Sequence, residues 1–305
     1  MEEKNQGLAL QSNTEVGPAF ALVAEGGGQK GIFTAGVLDA FLEQQFWPFD
    51  LKIGVSAGAQ NLAAFSARAR QYASQAIQQL TTKQDFFRPA KFFMGGNVID
   101  LDWYFRQVQE QGEMRFPTDV SHLNGESGFY AVATDAADFQ PVYLPTNNSN
   151  LFHHLKASSA IPFLYRPGVW LEGRQLVDGG VADPLPVRWA YAQGAKRIVV
   201  IRTVAADYSG QVPLLERLKP LLKKVRHSPR MMEMYLHYQR QYADALAFIN
   251  QPPDGVQVWQ IAPPQELRSL VLGSPPQALK LDYLIGRREG QRFLRQWNKD
   301  ERRMA

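Results

Sequence analysis

Cysteine is absent from the 305 residues, which excludes disulfides, thiolate chemistry, cysteine-ligated zinc and iron–sulfur clusters. Histidine is scarce: His122, His153, His154, His227 and His237 are the full set, and none form an HExxH-type pair, so no histidine-rich metal site is expected. No apolar run reaches the roughly 18 residues of a spanning helix. The opening MEEKNQGLAL lacks a basic segment followed by an apolar stretch, so no secretory signal is read there. A chain without cysteine is compatible with a reducing compartment, and a cytoplasmic location is the expectation. Acidic residues show no EF-hand spacing, so no calcium site and no cofactor are expected. No internal repeat or low-complexity linker is visible.

What remains is globular in character. Hydrophobic residues make up 45% and charged residues 20%, an ordinary balance for a chain that folds around its own core. The length accommodates one large domain or two modest ones. Charge is distributed unevenly. Residues 1–210 hold 17 Lys+Arg and 20 Asp+Glu, a net of −3; the rest hold 16 and 9, a net of +7. A basic end can meet an anionic partner such as a membrane surface, or can be a solvated helical face. The basic residues Arg287, Arg288, Arg292, Arg295, Lys299, Arg302 and Arg303 are candidates for peripheral contact with anionic lipid. Nucleic acid is not expected as a partner, and the oligomeric state is not legible.

The hydrophobic pattern gives an α/β order. Residues 19–25, AFALVAE, form an apolar run that enters GGGQKG, and a helical spacing follows at Ile32, Ala35, Val37, Leu38 and Phe41. Residues 49–55, FDLKIGV, repeat the strand pattern, and a single alanine-rich helix is read from 56 to 80. Strand–turn–helix repeated in this way implies parallel strands with helical crossovers. A hairpin is read at 128–134 and 141–144, a helix at 150–161, a short strand at 174–178, a helix at 185–195 and a strand at 196–204. Beyond residue 210 the sequence is mainly helical and basic, with one strand at 256–264. The expected organisation is an N-terminal extension at 1–18, an α/β domain at 19–210, and a mainly helical basic segment at 211–305 that is either a second small domain or a helical cover on the sheet.

Three glycine turns carry the chemistry. Gly26, Gly27, Gly28, Gln29, Lys30 and Gly31 lie between a strand and a helix. Consecutive glycines let backbone N–H groups converge, and the helix start adds partial positive charge, so the loop suits a phosphate or a developing oxyanion. It lacks the Gly-Lys-Ser/Thr of a P-loop. A dinucleotide site would need an acid about 20 residues past the glycines, at the end of the second strand, where Ser56 stands instead. The second turn is Gly54-Val55-Ser56-Ala57-Gly58, the GxSxG nucleophile elbow in its required strand-to-helix setting. The third is Asp178-Gly179-Gly180, an acid at a strand end that can reach a cleft above the sheet or simply make a turn.

Taken in order, glycine loop, serine elbow and acidic turn resemble the patatin-like phospholipase family, whose pattern is GGGxRG or GGGxKG, then GxSxG, then DGG or DGA. Ala157-Ser158-Ser159-Ala160-Ile161-Pro162 looks like the family's ASxAxP segment. The resemblance covers about residues 19–205 and leaves the C-terminal third outside. It implies a three-layer sandwich around a mainly parallel sheet, and a lipid ester hydrolase working by a Ser56–Asp178 dyad. It also implies an oxyanion hole from the backbone of Gly26, Gly27, Gly28 and Gln29, with Lys30, Gly31, Gly54, Gly58, Gly179 and Gly180 in support. Glu25 stands where plant members often carry Asp. An ordinary aspartate, with a pKa near 3.9, is a weak base at neutral pH, so the dyad calls for a desolvated Asp178 beside Ser56. Two alternatives are kept: a Ser–His–Asp esterase using His227 or His237, and a catalytically silent lipid- or partner-binding protein using the basic end and the aromatics Phe86, Phe87, Phe92, Phe93, Trp103, Tyr104 and Phe105.

Overall fold

A computed structural model describes residues 19–110, 112–117, 128–207 and 229–304. The expected extension at 1–18, His122, His227 and the helix read at 211–228 lie outside the described residues. The strand β1 (Phe20–Ala24) is buried along its whole length, as a central parallel strand must be. Its residues alternate between two cores. Phe20, Leu22 and Ala24 face one, with Phe33, Val37 and Leu62. Ala21 and Val23 face the other, with Val187, Ala190, Tyr242 and Phe248. Helices therefore cover both faces of the sheet, the three-layer arrangement that the alternating strand–helix order requires.

The sheet has eight strands. β1 pairs in parallel with β2 (Leu51–Val55) and with β7 (Arg197–Ile201), and β7 pairs in parallel with β8 (Gln257–Ile261). β3 (Gly128–Asp135) runs parallel to β2 and carries β4 (Pro141–Pro145) antiparallel. β5 (Val169–Leu171) and β6 (Arg174–Asp178) form a hairpin. Residues 130–132 of β3 pair with both β2 and β4, and residues 133–134 pair with both β4 and β6. A strand has two edges, so β2 and β6 share one of them and meet end to end.

The described residues form eight α-helices: α1 (Ile32–Glu43), α2 (Ala57–Ser66), α3 (Tyr72–Gln79), α4 (Leu101–Gln109), α5 (Leu151–Ser158), α6 (Val187–Ala192), α7 (Pro229–Asn250) and α8 (Pro276–Met304). The alanine-rich stretch expected as one helix is two, α2 and α3. Arg68 and Gln71 adopt left-handed φ values of 55° and 65° between them. No Gly or Pro marks this break; instead the buried Asp39 of α1 accepts the Gln71 N–H at 2.8 Å, a tertiary contact that periodicity does not reveal.

The C-terminal segment is built into the same sheet and core. β8 extends the sheet beyond β7, α7 packs on one face, and α8 lies on α1. The α1–α8 contact is close: a Cβ on Gly36 would meet the Arg287 backbone nitrogen at 2.8 Å, and Gly290 similarly faces the Val37 carbonyl. Trp297 of α8 stacks on Phe20 of β1 at 5.2 Å. α1, covered on both sides, buries ten of its residues.

Candidate active site

Ser56 follows β2 and opens α2 with φ 52° and ψ −123°, a strained backbone that costs of order 1–3 kcal/mol and that the elbow turn imposes. The flanking glycines make the bend possible by close approach. A Cβ on Gly54 would meet the Ala59 nitrogen at 2.5 Å, and one on Gly58 would lie 2.6 Å from the Glu25 carbonyl oxygen. The Ser56 N–H donates to the buried Ser158 hydroxyl at 2.9 Å. Ser158 thus fixes the elbow from the end of α5.

Asp178 ends β6. Its N–H donates to the Ala160 carbonyl at 2.9 Å, and its carbonyl accepts from the Thr134 hydroxyl at 2.8 Å. The carboxyl is buried, and desolvation pushes its pKa up to about 6, against the opposing pull of the Ser56 hydroxyl and the Gly180 N–H. The Gly180 N–H donates to Asp178 Oδ1 at 2.8 Å. Gly179 packs on the β3 backbone, where a Cβ would lie 3.1 Å from the Ala133 nitrogen. Asp183 is a second acid, half-buried, that desolvation raises to about 6, but it accepts the Tyr143 hydroxyl at 2.6 Å, and Tyr143 stacks on Trp189; it braces β4 against α6.

The glycine loop closes the site. A Cβ on Gly26 would lie 3.1 Å from the Ser56 Cβ. Gly27 and Gly28 take φ of 136° and 56°, conformations that side-chain-bearing residues resist. Among the described residues their N–H groups have no acceptor. Below the loop, Thr203 donates its hydroxyl to the Gly26 carbonyl at 2.7 Å and its N–H to Glu25 Oε2 at 2.6 Å. Glu25 is buried; desolvation raises its pKa and the nearby Arg202 opposes the rise. Arg202 in turn donates to Gln260 and to the Tyr242 hydroxyl. Lys30 is buried in the same region, and the Gly31 carbonyl accepts from Asn61 at 3.1 Å.

Gln29 differs from the expectation. Its N–H does not point into the site; it donates to the Val271 carbonyl at 2.8 Å. Its side chain donates to the Thr81 hydroxyl at 3.0 Å and accepts the Ser274 N–H at 2.7 Å. Gln29 therefore ties the glycine loop to the end of α3 and to the loop before α8. The C-terminal third, which the resemblance leaves outside, reaches the site through Val271 and Ser274. No motif marks that contact in the sequence, because it joins positions more than 240 residues apart.

A small apolar cavity opens beside Ser56, walled by Phe86, Ile99, Leu101, Ile161 and Leu272. Of the aromatic-rich stretch, Phe86 and Tyr104 line it. Phe86, Phe92, Tyr104 and Phe105 are buried and Phe87 and Trp103 half-buried, while Phe93 is 71% exposed. No histidine partners Ser56 or Asp178 among the described residues: His237 packs on Phe139 and His154 on Thr146. Among the described residues no three His, Asp or Glu side chains gather as metal ligands, and no helix is long and apolar enough to cross a membrane. Of the basic residues on α8, Arg287 is paired with Glu43 at 2.5 Å, whereas Arg288, Arg292, Arg295 and Lys299 are exposed.

A family model described as patatin-like phospholipase matches residues 22–191, and one described as Domain of unknown function (DUF6363) matches residues 228–299. The chain is 43% identical over 275 residues to the uncharacterized protein YjjU of Escherichia coli (strain K12), covering 90% of this chain and 77% of that protein. It is 27% identical over 238 residues to patatin-like phospholipase domain-containing protein 7 of Mus musculus, a match covering 69% of this chain and 16% of that protein. The solved structure of VipD from Legionella pneumophila aligns with 91% of this chain and 67% of that one, at a TM-score of 0.47 and 14% identity.

Proposed function

The chain belongs to the patatin-like phospholipase family, and we propose that it hydrolyses carboxylic esters of lipids with Ser56 as nucleophile and Asp178 as its base. The observation that carries this reading is the buried Asp178 carboxyl, raised to about 6 and interacting with the Ser56 hydroxyl at a strained elbow. A carboxylate with that pKa is ionised at neutral pH yet a much better proton acceptor than an ordinary aspartate.

In this scheme the Ser56 oxygen attacks the ester carbonyl while its proton passes to Asp178. The tetrahedral oxyanion lies against the N–H groups of Gly27 and Gly28, whose freedom from other acceptors and proximity to a helix start suit them to developing negative charge. Collapse breaks the bond to the alcohol, which takes the proton from Asp178 and leaves as a lysolipid or alcohol. Water then attacks the acyl-enzyme, giving its proton to Asp178; the second collapse returns that proton to Ser56 and releases the fatty acid. The fatty acyl chain occupies the apolar cavity beside Ser56. The exposed basic face of α8 supplies electrostatic attraction to an anionic membrane surface.

The test is hydrolysis of a chromogenic short-chain ester and of phospholipid vesicles, with and without EDTA, by wild type, Ser56→Ala and Asp178→Asn. EDTA-insensitive turnover that is lost in both variants supports the dyad. Turnover that survives Ser56→Ala overturns it.

A further inference from the structure

A second, small apolar cavity lies behind the one at Ser56, between α2, α3, α4 and α5. Its walls include Tyr72, Phe105, Val108, Phe116, Phe152 and Leu155, with Asn61 as a polar exception. The two cavities share Ala57, Gln60, Ile77 and Tyr104, so these four residues form the partition between them. Two of the four are polar and joined. The buried Tyr104 hydroxyl donates to Gln60 Oε1 at 2.6 Å, and Gln60 Nε2 donates to the Ser159 hydroxyl at 2.9 Å. The chain of hydrogen bonds runs from α4 through α2 to the end of α5, one residue from the Ser158 hydroxyl that holds the Ser56 N–H.

A polar bar across apolar space calls for a reason, since apolar side chains would fill the same gap without needing partners. We propose that Gln60 and Tyr104 set the acyl-chain length that this enzyme accepts. With the bar closed, an acyl chain esterified near Ser56 fills the first cavity and stops. With Gln60 turned aside, a longer chain continues into the second cavity, whose walls are mainly apolar. The long chain must break both hydrogen bonds of the Gln60 amide, so the bar disfavours it without excluding it. The inference rests on the hydrolase reading above for its catalytic consequence, but the compartments themselves do not.

The experiment measures kcat/KM for p-nitrophenyl esters from butyrate to palmitate with wild type, Gln60→Ala and Tyr104→Phe. Each methylene that enters an apolar pocket is expected to raise kcat/KM about fourfold, the ratio equivalent to about 0.8 kcal/mol. In wild type the rise should stop at a medium chain. In Gln60→Ala the rise should continue over several further carbons, and in Tyr104→Phe, which keeps the ring but releases the amide, the break should move the same way by less. Adding Ala73→Leu, which narrows the second cavity, to Gln60→Ala should move the break back. A Gln60→Ala profile parallel to wild type as far as palmitate would overturn the proposal. If wild type hydrolyses none of these esters, or if Ser56→Ala hydrolyses them equally, the hydrolase reading fails on its own. Displacement of a fluorescent fatty acid by saturated fatty acids of graded length then decides the compartments: the length at which affinity stops rising must be greater in Gln60→Ala, and an unchanged length overturns the partition.

Discussion

Val55 and Asp178 lie end to end along one edge of β3, Val55 opposite Val132 and Asp178 opposite the next residue, Ala133. β2 reaches this point in parallel and β6 in antiparallel, so the carboxyl ends of two strands face each other across a gap of one register step. The residue after Val55 is Ser56, whose elbow turns its hydroxyl toward the Asp178 carboxyl. Two residues separated by 122 positions in sequence are thereby brought together by main-chain pairing, with the Thr134 hydroxyl on the Asp178 carbonyl and the Ser158 hydroxyl on the Ser56 N–H.

The raised pKa of Asp178 dictates a pH profile. Below about pH 6 the carboxyl holds a proton and cannot accept one from Ser56. kcat/KM should therefore rise through an apparent pKa near 6 and level off above it, measured across a pH series with a neutral ester. Asp178→Asn should lower kcat by about 10²–10⁴, the usual worth of general-base catalysis, and should abolish that limb.

The same shift opposes stability. A carboxyl whose folded pKa lies above its unfolded value favours folding only while protonated, and that contribution is lost as pH rises through about 6. At neutral pH the ionised Asp178 costs on the order of 2–3 kcal/mol, by the displacement from an ordinary aspartate. Asp178→Asn should raise Tm at about pH 8 and leave it nearly unchanged below about pH 4; calorimetry at both values measures the difference.

Thr203 and Glu25 hold the glycine loop from beneath. Thr203→Val removes the hydrogen bond to the Gly26 carbonyl while keeping shape. It should lower kcat by up to about tenfold, the worth of one hydrogen bond of roughly 1.5 kcal/mol, with little change in KM. Glu25→Ala leaves the Thr203 N–H without its acceptor and the buried Arg202 guanidinium without a counter-charge, and should destabilise the fold by about 3–5 kcal/mol in denaturant titration.

Ser158→Ala leaves the buried Ser56 N–H without an acceptor. Unfolding free energy should fall by about 1–3 kcal/mol. Ser159→Ala, one residue on, removes a partner of Gln60 instead and should act on acyl-chain preference more than on stability.

The sequence carries every strand but the three-residue β5, and the elbow and the acidic turn, plainly, because each depends on local composition: apolar runs, and glycines where a Cβ would collide with backbone. It carries the positive-φ turn at Gly27 and Gly28 for the same reason. It conceals what long-range contacts decide. The break between α2 and α3 is held by Asp39, the Gln29 N–H is taken by Val271, and Arg287 is occupied by Glu43. None of these pairs has a local signature. The partition at Gln60 and Tyr104 is concealed for a related reason, since each residue alone is an unexceptional member of a helix.

The central claim is that Ser56 is the nucleophile and Asp178 its base. Reaction with a fluorophosphonate, followed by mass spectrometry of the digested protein, tests it most directly. The account predicts one phosphonyl adduct, on the peptide containing Ser56, absent in Ser56→Ala and formed much more slowly in Asp178→Asn. An adduct on another residue in wild type, or labelling of Asp178→Asn at the wild-type rate, would contradict it.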